Sequence, residues 1–61
     1  MDKDIYLITV SQTANLLAVH RSTIYRLLRN DDEFPKIYDF RFGKRFNKYD
    51  VIEYINSRKA A

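Results

Sequence analysis

The chain has 61 residues, which is enough for one domain, and its 11 basic and 8 acidic side chains give a net charge of +3. It has no cysteine, and its one histidine shows no metal-ligand spacing with the carboxylates, so we expect no disulfide, metal or cofactor. The uncharged stretch 5–20 is too short and too polar to span a bilayer, and the acidic start does not fit a signal peptide. We therefore expect a cytoplasmic protein with no membrane partner, and the mild basic charge is weak evidence for a polyanionic one.

The first predicted element is a helix over Val10–Leu17. Thr9 and Gln12 have the spacing of a capping box, in which each side chain accepts from the backbone N–H of the other residue. Apolar side chains recur with a helical period at Val10, Ala14, Leu16 and Leu17. The apolar run Ile5–Ile8 leads into this helix.

A second helix is predicted from Arg21 to about Asn30, after a tight connection at 18–20. Its apolar stripe is formed by Ile24, Leu27 and Leu28. The small Ala14 suits the point where this helix crosses the first. Ala18 occupies a turn position that often favours glycine. Two helices joined by so short a turn predict a helix-turn-helix.

A short β-hairpin is predicted next, because aromatic and β-branched residues surround Gly43, and its tip is expected near that glycine. Asn47 and Asp50 are typical of a helix N-cap with an acidic first turn. The third helix is predicted over about Lys48–Ser57, with Val51, Ile52 and Ile55 facing inward. The fold class is therefore mostly α with a small hairpin, in one domain over 1–61 with an ordered core of about 5–57 and loose ends at 1–4 and 58–61.

The outward face of the second helix carries cations, hydroxyls and a phenol, and no acidic side chain occurs between Ala14 and Asn30. These groups match DNA phosphates and base edges. We expect DNA contacts from Arg21, Ser22, Thr23, Tyr25, Arg26 and Arg29. The alternative is a solvated basic face, and Arg29 could instead pair with the acidic residues 31–33.

A second cluster of cations surrounds the hairpin tip, where Asp39 is the one acid. Such a tip beside a helix-turn-helix suggests a wing that holds the DNA backbone or an adjacent minor groove. We expect wing contacts from Arg41, Lys44, Arg45 and Lys48. The alternative is a polar hairpin with cations for solubility. Phe40, Phe42 and Phe46 are expected in the core rather than as DNA wedges, with Phe42 the residue that could be an exception.

The segment Ile8–Leu28 resembles the AlpA family of phage-type regulators, relatives of excisionases and of MerR-type winged helix-turn-helix proteins. The resemblance is strongest over Arg21–Leu27. It continues in the family's order through Phe34-Pro35-Lys36, Gly43-Lys44-Arg45-Phe46, and Asp50-Val51 with Tyr54-Ile55, and so covers nearly the whole chain.

This resemblance implies a winged fold with the second helix as recognition helix. It implies DNA contacts at Arg21, Ser22, Thr23, Tyr25 and Arg26, and at Lys44 and Arg45 in the wing. Two features depart from the family: His20 stands where a serine cap is usual, and the segment 30–33 is unusually acidic.

The expected function is sequence-specific binding of double-stranded DNA by a protein of a phage or mobile element, acting as transcriptional regulator, as excisionase that bends DNA beside an integrase, or both. A module of this size buries only about 600–1,000 Å² on DNA, so we expect several copies to bind repeated or paired sites cooperatively, from a monomer or weakly self-associating protein. The rival hypothesis is a protein-interaction module whose basic face binds an acidic partner such as an integrase or response regulator. RNA binding is less favoured, and no catalytic constellation is present, so we expect no enzyme.

Overall fold

The structure, a computed structural model, describes residues 4–60 of the chain. In this part the elements follow in the order β1 (Leu7–Thr9), α1 (Val10–Leu17), α2 (Arg21–Asn30), β2 (Tyr38–Phe40), β3 (Gly43–Asn47) and α3 (Lys48–Ser57). The central strand of the antiparallel sheet is β3, with β1 on one side and β2 on the other. The predicted winged helix-turn-helix is confirmed, and the three helices have the predicted bounds.

The helix α1 begins with the predicted capping box. The hydroxyl of Thr9 accepts from the Gln12 N–H at 3.0 Å, and Oε1 of Gln12 accepts from the Thr9 N–H at 2.8 Å. Thr13 is fully buried, and its hydroxyl donates to the carbonyl of Thr9 at 2.9 Å, so its polar atom has a partner. Leu16 is exposed, against expectation, because Val10 and Ala14 centre the buried face and Leu16 lies beside it.

The turn between α1 and α2 depends on a left-handed residue. Ala18 has φ 58° and ψ 43°, and its N–H donates to the carbonyl of Asn15 at 3.1 Å. The N–H of Val19 donates to the carbonyl of Ala14 at 3.0 Å, which completes the helix C-terminus. An alanine in this conformation is strained, since its Cβ approaches the following carbonyl oxygen.

The first strand was not predicted, because the apolar run at Ile5–Ile8 was assigned no partner. Ile8 pairs with Phe46 in the sheet, and both are buried. The hairpin turn lies at Arg41–Phe42, just before the predicted tip, and Gly43 begins β3 with φ 134°, which glycine adopts readily.

The core lies between the sheet and the helices. Phe46, Ile24 and Val51 are fully buried. The ring of Phe34, from the segment after α2, lies 5.7 Å from that of Phe46, edge to face. The core is completed by Ile8, Val10, Ala14 and Phe34, with Leu17, Leu27, Leu28, Ile37 and Ile55 packed partly against it.

Of the hairpin phenylalanines expected in the core, only Phe46 is buried, and Phe42 is the exception that the sequence left open. Phe40 is half-buried and Phe42 is 68% exposed. The reason is that the helices pack mainly on β1 and β3, so β2 and the turn that follows it are less covered.

Asn47 connects the start of α3 to the segment before β1. This buried side chain accepts at Oδ1 from the N–H groups of Tyr49 and Tyr6, both at 3.2 Å, and donates from Nδ2 to the carbonyl of Asp4 at 3.3 Å. The N–H of Lys48 adds a bond of 2.7 Å to the carbonyl of Tyr6. The predicted N-cap is confirmed, and it also holds the start of the described chain in place.

Arg58 was expected to belong to a loose end, but the structure holds its side chain in place. Its guanidinium contacts the carboxylates of Asp31 at 3.0 Å and Glu33 at 3.3 Å, and it lies 4.8 Å from the centre of the Tyr54 ring. The end of α3 is thereby joined to the segment after α2. The expected loose ends at 1–3 and 61 lie outside the described residues.

Candidate DNA-binding surface

The helix α2, the second helix of the helix-turn-helix, begins with a histidine cap. Nδ1 of His20 accepts from the Ser22 N–H at 3.1 Å, and the Ser22 hydroxyl lies 3.0 Å from the same nitrogen. A backbone N–H only donates, so Nδ1 carries no proton in this geometry and the proton of a neutral imidazole is on Nε2. His20 thus caps α2 at the position where the resemblance implies that a serine is usual.

The face of α2 opposite its apolar stripe is exposed. Helical geometry places Ser22, Arg26 and Arg29 at its centre, and all three are exposed. Arg21 is exposed on the flank that faces the hairpin. The side chains of Thr23 and Tyr25 are half-buried, and Tyr25 packs partly against the core, so they offer less surface than expected.

Arg29 does not make the acidic pairing considered from the sequence. Among residues 4–60 the ion pairs join Lys44 to Asp39, and Arg58 to Asp31 and Glu33. Arg58 therefore pairs with Asp31 and Glu33, two of the carboxylates that Arg29 could have approached. Arg29 remains on the exposed face.

The cations of the wing differ in what their side chains contact. Arg41 is exposed in the turn. Lys44 is 3.2 Å from the carboxylate of Asp39, its cross-strand neighbour. Arg45 is folded over the tip: its guanidinium donates to the carbonyl of Lys44 at 2.9 Å and lies 5.0 Å from the centre of the Phe42 ring. Both side chains would have to exchange these contacts to reach phosphate.

An open groove lies between α2 and the wing. Arg21 and Tyr25 line its helical side, and Lys44 and Arg45 line the hairpin side. Thr9 and Ser11, at the start of α1, also line it and were not predicted as site residues. Their place depends on the pairing of Thr9 with Arg45 across the sheet, which no local sequence signal shows.

Lys48 does not lie with the other wing cations. It begins α3 at the end of β3 remote from the turn, and its ammonium lies 5.0 Å from the centre of the Tyr6 ring. It lines a separate groove with Leu7, Gln12 and Leu16. A contact from Lys48 would therefore involve a different part of the surface from that of Lys44.

Four acidic residues lie around another groove, lined by Asp32, Glu33, Asp50 and Glu53. Hydrogen bonds from the Tyr54 hydroxyl and from the Glu33 N–H lower the pKa of the Asp31 carboxyl, and Arg58 adds to this effect. Apart from Asp39, which pairs with Lys44, these carboxylates are separated from the groove between α2 and the wing, which favours an anion at that groove.

Metal ligands and membrane-spanning helices would indicate other functions. No group of three or more potential metal ligands is found within 4–60. No helix in that range is long and apolar enough to cross a membrane.

Comparison with known proteins identifies the class of the protein. No curated protein and no solved structure matches the chain significantly. The family model described as a helix-turn-helix domain matches residues 7–59. That family includes small DNA-binding proteins of the AlpA and excisionase type and is typically non-enzymatic. Since the match covers most of the chain, from β1 to just beyond α3, the protein belongs to the helix-turn-helix domain family and is of the DNA-binding regulator class.

Proposed function

We propose that the protein binds specific sites on double-stranded DNA in a bacterial phage or mobile element, with α2 in the major groove and the β2–β3 hairpin as a wing. The observation that carries the proposal is the exposed, acid-free face of α2, which continues across a groove to the wing cations. Helices of this type contact bases from their N-terminal part.

The contacts divide by chemistry. Arg26 and Ser22 lie at the centre of the exposed face, where side chains reach base edges. Arg21 and Lys44, on the two sides of the groove, are suited to the phosphates between the major groove and the wing. Tyr25 and Thr23 contribute through their hydroxyls, Arg29 extends the face along α2, and Arg41 and Arg45 complete the wing.

Within this function we propose a regulatory role at a promoter, an excisionase role beside an integrase, or both. The resemblance to AlpA-type regulators and excisionases supports this choice. The protein would act in the cytoplasm at the nucleoid, as a single domain over 1–61, and several copies would bind repeated or paired sites cooperatively.

A footprint tests this proposal. The full chain is titrated onto DNA that flanks its gene, including any adjacent integrase promoter and attachment site, with random DNA as competitor. Protection of repeated short sites that survives competition supports specific binding, and the position of the sites separates promoter control from excision. Uniform, salt-sensitive coating or no protection would contradict it.

The rival hypothesis is an acidic protein bound by the basic face. Both hypotheses use the same cations, so the double variant Arg21→Ala/Arg26→Ala is compared with wild type in DNA titration. Loss of specific DNA binding with unchanged thermal unfolding supports the DNA interface. Retention of full DNA affinity would remove these residues from it.

A further inference from the structure

Phe42 is a largely exposed apolar side chain at the end of the hairpin. It occupies the turn between β2 and β3 and is 68% exposed. Single exposed apolar residues are common on proteins, but this one lies on the element proposed to contact DNA. Phe42 is not part of the core, to which the hairpin contributes Phe46. Packing in the core therefore does not explain its role.

The ring of Phe42 is held in position before any partner binds. It is stacked on Phe40 with centroids 4.9 Å apart and an interplanar angle of 6°, and Phe40 is stacked on Tyr38 at 6.4 Å. The Arg45 guanidinium lies 5.0 Å from the centre of the Phe42 ring. A side chain ordered in this way loses little further entropy on binding, which favours a contact role.

The charges around this ring indicate what covers it. Arg41 precedes Phe42, and Lys44 and Arg45 follow closely, so three cations accompany one carboxylate, Asp39, in the hairpin. Lys44 is paired with Asp39, so an apolar partner surface alone would leave Arg41 and Arg45 without counter-charges. The minor groove of DNA offers phosphates on both rims and apolar sugar and base-edge surface between them.

The position of the ring relative to α2 fits this partner. Lys44 and Arg45 share a groove with Arg21 at the start of α2, whereas Phe42 lies farther out along the hairpin. Phe42 lies in the turn at the end of the hairpin, beyond the pairing of Arg45 with Tyr38. With α2 in a major groove, the hairpin can cross the intervening phosphates and reach the adjacent minor groove.

We propose that Phe42 is an apolar DNA contact that wedges into a base step in the minor groove and kinks the duplex, while Arg41, Lys44 and Arg45 hold the flanking phosphates. Arg45 exchanges its contact with the Lys44 carbonyl for a phosphate in this complex. Phenylalanine wedges of this kind partly unstack a step and bend the helix toward the major groove. This inference rests on the proposed function, because it requires duplex binding.

The test uses the full chain and a short duplex carrying the footprinted site, with fluorescent dyes at its ends to report the bend. A second duplex carries 2-aminopurine in the wing-proximal steps, where unstacking raises fluorescence. Wild type is expected to bend the first duplex and brighten the second. Phe42→Ala is expected to lose both signals and to bind about ten- to hundredfold more weakly, the range that corresponds to losing burial of this side chain. Phe42→Leu keeps an apolar wedge and should keep most of the bend.

Two controls separate the wedge from general effects. Ile5→Ala removes an equally apolar side chain, 72% exposed, that precedes β1 at the end of the sheet away from the turn, and should leave binding and bend unchanged. Lys44→Ala should reduce the slope of log K against log salt by about 0.9, the value for one phosphate, while Phe42→Ala should leave the slope unchanged.

The outcomes are distinct for the two proposals. If wild type does not bind the duplex, the proposed function fails. If wild type binds and Phe42→Ala binds and bends equally well, the wedge alone is overturned, and the exposed ring would remain for a protein partner.

Discussion

The hydroxyl of Tyr54 in α3 donates a hydrogen bond of 2.8 Å to Oδ2 of Asp31, the residue that ends α2. The same oxygen lies 3.0 Å from a guanidinium nitrogen of Arg58. This contact joins the far end of the recognition helix to the last helix, between residues 23 positions apart in sequence. It therefore links the C-terminal end of α2 to α3.

Stability should depend on this contact at acid pH. The hydrogen bond from Tyr54 is the largest cause that lowers the pKa of Asp31 below its ordinary value of 3.8. Because the folded pKa is lowered, the stabilisation is present above the ordinary value and is lost as pH falls through the folded pKa. Acid unfolding curves, followed by circular dichroism below about pH 4, should therefore show a smaller dependence on pH for Asp31→Asn than for wild type. Asp32→Asn, which removes an exposed neighbouring carboxylate, is the control and should follow wild type. Equal curves for wild type and Asp31→Asn would contradict the assignment.

The cap of the recognition helix gives a second prediction. His20→Ala removes the acceptor for the Ser22 N–H and should lower the free energy of unfolding by about 1 kcal/mol. His20→Ser restores a cap acceptor and should recover most of that loss. Urea unfolding monitored by circular dichroism measures both. A His20→Ala variant as stable as wild type would show that the imidazole does not cap α2.

The tautomer of His20 can be observed directly. Long-range proton–nitrogen correlation spectra at neutral pH should show an unprotonated Nδ1 and a protonated Nε2, as the bond to Ser22 requires. The opposite tautomer would contradict the capping geometry.

Relief of backbone strain in the turn should stabilise the protein. A left-handed conformation costs a non-glycine residue about 1–2 kcal/mol. Glycine at the same position also lowers the free energy of unfolding by about 0.4–1 kcal/mol, because it gives the unfolded chain more conformational freedom. Ala18→Gly should therefore gain roughly 0.5–1 kcal/mol, which raises the melting temperature of so small a domain by a few degrees. Ala14→Gly, in the helical conformation of α1, is the control and should lower it.

The division of DNA contacts predicts that removing one arginine and removing one lysine will cause different losses of DNA affinity. Arg26→Ala should weaken the footprinted site by about 1–3 kcal/mol and random DNA by less, because Arg26 is proposed to read a base. Lys44→Ala should weaken both DNAs about equally, because Lys44 is proposed to bind phosphate. Titrations of each variant on both DNAs at several salt concentrations measure this, and exchanged outcomes would reverse the two roles.

Local signals in the sequence were sufficient for the helices. The Thr9–Gln12 box, the Asn47 cap and the periodic apolar residues around Ile24 depend on neighbours within a few residues, so each could be assigned before any packing was known. The acid-free face of α2 follows from the same periodicity, because once a helix is set its 3.6-residue repeat determines which side chains share a face. The cationic hairpin was also evident, from the turn residue Gly43 and its neighbours.

Long-range pairing decided the rest. No local signal shows that Ile8 pairs with Phe46, so β1 and the groove that joins Thr9 to the wing appear only in the folded chain. Lys48 is four residues from Lys44 in sequence, yet β3 places them at opposite ends of a strand, where one meets Tyr6 and the other Asp39. Arg58 joins Asp31 across the fold, and Phe42 is exposed because the helices pack mainly on β1 and β3. The sequence by itself determined which helices form and which faces carry charge, since these depend on spacing along the chain. Only the tertiary structure decided which charged and aromatic side chains stand together, since that depends on how distant segments pack.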